Sequence, residues 1–461
     1  MTRLRYEAYR DSEVEWLGEV PTHWVITRAR FHAGINPSGS EARNLPPDTE
    51  VSFVPMKAVG EWGGLDLSQK KPLDDVGSGY TAFRDGDVVV AKITPCFENG
   101  KGALVCSLAN GLAFGTTELH VLRARDSVDA RFLFYLTVSD PFRALGEAEM
   151  YGAGGQKRVP TEFVQDFPLP LPPPEEQRAI AAFLDRETAR IDALVEKKRL
   201  LIERLEEQRT ALISRTVTRG LPPEAARAAG LDPSPRLVPS GVEWLGDVPA
   251  HWEVKPLGRL VVLRGGATPD KSNPDFWDGD IPWVSPKDMK RPRISDSEDH
   301  ITPAALRASP ASLIPIASLL VVVRGMILAH SFPVALTEAP VTLNQDMKAL
   351  LTLPALSPNF LFWSLVGLRD PIVALADESA HGTRKLETQV LTRFPIPLPA
   401  LAEQKAIVGF LDESTAALDR LAQSIQRAIE RLNEYRTALI TAAVTGKIDV
   451  RESVSEEIAA G

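Results

Sequence analysis

The chain has 461 residues, 44% of them hydrophobic and 25% charged, with a formal net charge of −9 at pH 7. That length asks for more than one domain, and that composition excludes a disordered or low-complexity chain. No uninterrupted apolar run of about eighteen residues offers a membrane span, and the opening MTRLRYEAYRDSEVEW lacks the apolar core of a secretion signal. Acidic balance argues against a simple basic nucleic-acid binder, though it leaves room for a local or partner-shared grip on phosphate. Cys96 and Cys106 are the only cysteines. They are too few for a disulfide framework or a zinc site, which points to a reducing cytoplasm and to thiols acting as small, part-buried hydrophobes.

Along the chain, VEWLGEVPTHW (Val14–Trp24) comes first, and it recurs as VEWLGDVPAHW (Val242–Trp252) with nine of eleven positions identical. Between the copies lies a mixed segment. VSFVPMKAV (Val51–Val59) and DVVVAKI (Asp87–Ile93) are short β-rich runs broken by Gly, Pro, Asn and Asp. ARFLFYLTV is patterned as a helix, and GAGGQKR (Gly152–Arg158) is a small polar loop.

FPLPLPPPEEQ then opens a long element at Phe167. The prolines make a stiff extended lead-in, and Glu175 and Glu176 suit the positive end of a helix. From Glu175 to about Arg215 there is no Pro or Gly. The whole phrase returns from Phe394 without a gap, with roughly half of the aligned positions matching. In the second copy Leu411, Leu418, Ile425, Leu432 and Leu439 fall every seven residues, with Ser414, Leu421, Ala428 and Tyr435 as the intervening set. In the first copy the same register holds Leu184, Ile191, Lys198, Leu205 and Leu212. This spacing predicts a coiled-coil seam, and each helix is the simplest partner for the other. Forty residues of helix span about 60 Å, close to two turns of B-DNA.

The second variable segment carries β-rich LLVVVRGMI (Leu319–Ile327) and KALLTL (Lys348–Leu353), helical NFLFWSLVGL, and a loop AHGTRKL (Ala380–Leu386) that matches GAGGQKR in position. Each variable segment reads as an α+β domain of about 150 residues. The repeat is a tandem duplication, too long in period for a solenoid. Parts kept alike do one common job, and parts that have drifted apart do two different ones.

Motifs for chemistry are missing. There is no Walker phosphate loop and no H-E-x-x-H. GGATPDKSNPD at Gly265 does not fit a dinucleotide fingerprint, and NLPPD at Asn44 is not the Asn-Pro-Pro-aromatic tetrad of amino-methyltransferases. Asp74–Asp75 and Asp85–Asp87 read as surface loops, and His23 and His251 as hydrogen-bonded histidines beside packing tryptophans. The sequence reads as a binder with no catalytic residues and no metal site.

SGVEWLGDVPAHWEVKPL, GGATPDKSNPDFWDGDIPWVSPKDM and FPIPLPALAEQKAIVGFLDE, with the partner of the last at Phe167, resemble the DNA-specificity subunit of type I restriction–modification systems. The resemblance implies an α+β fold in which two target-recognition domains alternate with two long helices paired as an antiparallel coiled coil, pseudo-twofold through the duplication. The segments expected are a first recognition domain at 1–170, a central helix at 171–218, a linker at 219–240, a second recognition domain at 241–397, a distal helix at 398–446 and a tail at 447–461. It further implies double-stranded DNA, two modification (methyltransferase) subunits and restriction/translocase subunits as partners, with S-adenosylmethionine, ATP and Mg in those partners and no cofactor in this chain. Each domain would read one half of a bipartite asymmetric target, and the partner would flip out an adenine for methylation.

By loop position and side-chain type, Lys57, Lys92, Asn99, Lys101, Gln156, Lys157 and Arg158 are the DNA-facing candidates of the first domain. Lys287, Lys290, Arg291, Arg324, Thr383, Arg384 and Lys385 are those of the second. Two other readings compete: a coiled-coil scaffold carrying two protein-binding modules, and a restriction endonuclease.

Overall fold

A computed structural model describes residues 5–76, 78–153, 155–378 and 383–451. Two compact units are present, residues 1–198 with 427–461, and residues 199–426. The division runs through the two long helices, Pro174–Arg219 and Leu401–Val444, of 46 and 44 residues. The compact units therefore do not follow the segment boundaries read from the sequence, which treated each helix as a separate piece. Each unit takes the beginning of one helix and the end of the other.

In the first unit, one four-stranded sheet runs in the order Lys70–Pro72, Glu50–Val54, Leu112–Gly115, Thr81–Arg84. A second runs Ala33–Ile35, Leu119–Ala124, Asp87–Ala91, Gly102–Leu104. Val88, Val90 and Leu122 bury one face of the second sheet with Phe132 and Leu136 of the helix Ala130–Thr137. The same core takes Ile180 and Leu184 from the first long helix and Leu439, Ile440, Ala443 and Val444 from the second. Ile448 and Val450 join it, so the stretch read as a tail at 447–461 is packed as far as Val450. Cys96 is half-buried as expected, whereas Cys106 is exposed.

In the second unit, a five-stranded sheet runs Val261–Gly265, Met347–Thr352, Leu319–Val322, Val334–Thr337, Arg293–Ile294. The helix Pro358–Gly367 covers it, and Ile213 and Val217 of the first long helix join Ile407 and Leu411 of the second in the same core. A three-stranded sheet orders Asp299–Ile301, Trp277–Val284 and Thr342–Leu343. The stretch read as a linker at 219–240 contains a short helix, Pro223–Ala228, and a strand, Leu237–Pro239.

The repeated phrases build the same hydrogen-bonded frame in each unit. Pro168–Leu171 pairs antiparallel with Val25–Arg28, and Pro395–Leu398 with Glu253–Pro256. Prolines are tolerated there because an edge strand need not donate on both sides. The buried Gln177 amide donates to Pro172 O (2.8 Å) and Ser127 O (3.1 Å), and its oxygen accepts from Asp129 N–H (2.8 Å). Gln404 does the same with Pro399 O (2.8 Å), Ala355 O (2.9 Å) and Ser357 N–H (2.8 Å). Glu176 holds His23 at 2.8 Å, and Glu403 holds His251 at 2.9 Å. Asp185 accepts from Tyr135 Oη–H, and Asp412 from Trp363 Nε1–H, both at 2.8 Å. The helices stop at glycines in the left-handed region, Gly220 (φ 86) and Gly446 (φ 71). Gly446 abuts Pro21 and Trp24, and Gly220 abuts Trp252, so each helix ends on the tryptophan of the opposite repeat.

Burial along the two long helices can be set against the predicted heptad positions. Leu184, Ile191, Leu205, Leu411, Ile425 and Leu439 are buried, and Leu212, Leu418 and Leu432 are half-buried. The complementary set lies four residues on, not three. Thr415, Ile429 and Arg436 are buried, as are Val195 and Thr216 in the first helix, whereas Leu421 and Tyr435 of the predicted set are exposed. Three-then-four spacing keeps one stripe facing the partner, and here a polar residue takes several of its places. Arg436 bonds Asp192 in the first unit, and Arg209 lies 3.2 Å from Asp419 in the second. Both arginines and both aspartates occupy matching positions of the repeat.

Trp24 Nε1–H donates to Glu176 Oε1 (3.0 Å), a bond without a described counterpart at Trp252. Glu176→Ala is expected to cost about 1–3 kcal/mol by orphaning that buried donor, and Glu403→Ala to cost less. Urea unfolding of the two single variants, monitored by tryptophan fluorescence, checks the order.

Candidate nucleic-acid interface

The candidate residues of the first domain gather at one end of its two sheets. Strand Asp87–Ala91 runs antiparallel to Leu119–Ala124, with Ala91 opposite Leu119. Just beyond it, Lys92 N–H donates to Glu118 O (2.9 Å) and Lys92 O accepts from Val159 N–H (2.8 Å). Thr94 N–H donates to Lys157 O (3.0 Å). The loops 92–101 and 152–158 are thus stitched together by backbone bonds. Lys57 lies in the turn after strand Glu50–Val54, where Thr116 N–H donates to Val54 O (3.2 Å) and leads on to Glu118. Lys57, Asn99, Gln156 and Lys157 are exposed, and Lys92, Lys101 and Arg158 half-buried.

Arg158 is already engaged. Its Nε and a terminal nitrogen donate to the two oxygens of Glu118 at 2.9 and 2.8 Å, a bidentate ion pair. That bond holds the Glu118 carboxyl below the usual carboxylate range. Arg158 therefore shapes the loop, on which Gln156 and Lys157 are exposed, while Lys92 is half-buried beside Glu118.

The second domain repeats this construction with other side chains. Val323 N–H donates to Asp346 O (2.8 Å), and Val323 O accepts from Leu386 N–H (2.9 Å). These two bonds match those of Lys92, so Arg384 and Lys385 occupy the places of Lys157 and Arg158, as the loop alignment predicts. Ala380 and Gly382 of that loop lie outside the described residues. Arg324 sits opposite Lys385 on a short strand pair, 3.9 Å from the Asp346 carboxylate, and Lys385 is 3.1 Å from Glu387. Thr383, Arg384 and Lys385 are half-buried, and Arg324 is exposed.

Arg324, Gln345, Lys348, Lys385 and Gln389 line a polar cleft of about 400 Å³. Gln345 also accepts from Thr268 Oγ1–H, which ties the GGATP loop to this end of the sheet. Gln345, Lys348 and Thr268 were missed by sequence reasoning. Lys348 opens a run patterned as a strand, and only its place at the end of that strand brings it to the cleft.

Lys287 stands apart on the three-stranded sheet, in the turn after Trp277–Val284, committed to Asp299 (2.9 Å) and Glu298 (3.2 Å). These carboxylates, Asp299 foremost, raise its pKa. Lys290 and Arg291 are exposed on the following turn. A separate groove of about 1300 Å³ in the second unit runs along the first long helix past Glu206, Arg215 and Arg219 to Trp244 and Arg369. Among the described residues no cluster of His, Cys, Asp or Glu is built to hold a metal ion, and no helix is long and apolar enough to cross a membrane.

A model of the type I restriction modification DNA specificity domain matches residues 103–204 and 249–431, more than half of the chain. The chain belongs to this family. It is 41% identical over 171 residues to the EcoAI type I restriction enzyme specificity subunit of Escherichia coli, covering 37% of this chain and 28% of that subunit. It is 36% identical over 185 residues to the EcoR124I/EcoR124II specificity subunit of the same organism, covering 40% and 46%. The chain thus spans less than half the length of these curated relatives. Two solved structures share the fold. One comes from work on complex assembly and conformational transition of the type I R-M system, with a TM-score of 0.66 at 20% identity over 92% of this chain and 98% of the other. The second is the HsdS subunit from Thermoanaerobacter tengcongensis, with a TM-score of 0.51 at 21% identity over 93% and 98%. This is the α+β fold of a two-domain specificity subunit.

Beneath the first loop pair, His120 is buried. Its Nδ1 lies 3.2 Å from the Asn36 amide nitrogen and its Nε2 3.0 Å from Val159 O. A neutral ring fits both, accepting from Asn36 and donating to Val159, and burial lowers its pKa. The unfolded chain takes up the proton first as pH drops below about 6.5. The contribution to stability is therefore full above that pH and is lost as pH falls from there through the depressed folded value. His120→Gln is expected to flatten this part of the stability–pH curve, measured as urea midpoints between about pH 7 and 5.

Proposed function

We propose that this chain is the non-catalytic, DNA-reading subunit of a type I restriction–modification assembly. Each α+β domain reads one half of a bipartite, asymmetric duplex target. The two long helices lie antiparallel as a coiled coil, set the unread gap and offer equivalent seats to two adenine methyltransferase subunits, with a restriction/translocase subunit joining them. The groove beside Trp244 is one such seat. S-adenosylmethionine, ATP and Mg belong to the partners.

The observation that carries this reading is the recurrence of one backbone junction with different side chains. Lys92 in the first domain and Val323 in the second make the same two main-chain bonds. Around them stand Lys157 and Arg158 in one case, and Arg384 and Lys385 in the other. A shared frame with exchanged side chains is what two base-readers of different specificity require. The matched pairs Arg436–Asp192 and Arg209–Asp419 support antiparallel helices, and the names of the relatives support the assembly. The acidic net charge fits a grip on phosphate shared with partner subunits.

Arg384→Ala with Lys385→Ala is expected to weaken DNA binding by the assembled complex about tenfold or more and to leave subunit assembly intact. Filter binding and size-exclusion chromatography test the two parts, and unchanged DNA affinity defeats the assignment. Inserting one helical turn within RTALISRTVT (Arg209–Thr218) is expected to lengthen the unread gap while both half-sites stay the same. Methylation mapping of the host genome reads this directly, and altered half-sites contradict the helices' role as a ruler.

A further inference from the structure

The two most exposed large apolar side chains among those described are Met326, 70% exposed, and Tyr151, 67% exposed. They come one from each domain, and both stand at the loop junctions described above. Tyr151 exchanges both backbone hydrogen bonds with Arg158, at 3.2 and 2.9 Å, with Gln156 and Lys157 exposed on the adjoining turn. Met326 follows directly on the strand Arg324–Gly325, which pairs with Arg384–Lys385. Gly325 has φ 150, in the region that favours glycine, and Met326 is exposed just past it, at an edge where Arg324, Arg384 and Lys385 stand beside the strand Asp377–Glu378.

A large apolar side chain left in water forfeits the gain that burial would bring. Scattered single cases need no explanation. Here the two extremes lie beside matching positions, Arg158 and Lys385, though on opposite sides: Tyr151 pairs with Arg158 where Asp377 pairs with Lys385, and Met326 follows the strand on the other flank. Cations suit a polyanion, and an apolar or aromatic tip inside a cationic rim suits the bases between its phosphates, through a thymine methyl in the major groove or a base face. A protein partner with an apolar pocket gives no reason for the cations.

We propose that Tyr151 and Met326 are base-contacting, specificity-determining residues, one for each half-site of a duplex target. This rests on the DNA-reading role proposed above. The surrounding Lys157 in one domain and Arg324 and Arg384 in the other hold the backbone while the apolar tip discriminates.

The test uses the full chain assembled with its modification subunits, and duplexes carrying either the site found by methylation mapping or a scrambled site. Tyr151→Ala and Met326→Ala are each expected to lower affinity for the mapped site about tenfold. Binding to the scrambled duplex and the salt dependence should stay as in the parent. In cells each variant relaxes methylation at one half-site only, and not the same one. Tyr151→Phe keeps the ring and retains most of the affinity. If both alanine variants bind the mapped site as the parent does, the inference fails while the DNA-reading role stands. Equal loss on both duplexes also overturns it, since that marks a phosphate contact. If the parent complex itself shows no preference for any site, both readings fall together.

Discussion

Neither domain core closes with its own repeat alone. A helix as long as these is held by covering its apolar stripe, and here the stripe is covered in parts. Ile180 and Leu184 meet Leu439, Ile440 and Val444 in one core, and Ile213 and Val217 meet Ile407 and Leu411 in the other. Each repeat contributes the end of its helix to the opposite unit. The frame around the helix starts, with Glu176 and Gln177 in one unit and Glu403 and Gln404 in the other, fixes where each domain sits on its own helix. Everything at the loop edge depends on that seating.

Buried polar groups carry much of this order. Arg209 and Arg436 take stripe positions that a leucine would fill with greater apolar gain. Each instead meets the aspartate at the matching site of the other helix. A charged group on a seam disfavours registers that leave it unpaired. The same logic explains Gln177 and Gln404, whose amides satisfy backbone groups where strand, short helix and long helix meet. Glu176, Gln177, Asp192 and Arg209 are identical to their counterparts Glu403, Gln404, Asp419 and Arg436.

Much of this was legible in the sequence because it is written twice. The helices, their proline lead-ins and the His-Trp contacts recur at a constant spacing, and repetition separates framework from variation. The alignment of Lys157 and Arg158 with Arg384 and Lys385 also holds in three dimensions, since the bonds of Val159 and Leu386 match. What could not be read was pairing at a distance. Nothing local shows that Glu118 occupies Arg158, that Asp299 occupies Lys287, or that Gln345 faces Lys385. The heptad phase was misread for a related reason. Leu421 and Tyr435 are apolar and drew attention, whereas the true stripe runs through Thr415 and Arg436, whose polarity hid it.

The discontinuity of the first unit bears on biosynthesis. Residues 199–426 are contiguous, and the second unit can close as soon as they leave the ribosome. The first unit is drawn from both sides of it. Its earlier strands and helices emerge long before Leu439, Val444 and Val450, which supply the last wall of their core. During translation the nascent chain therefore carries an open apolar face across the whole interval in which its neighbour is made.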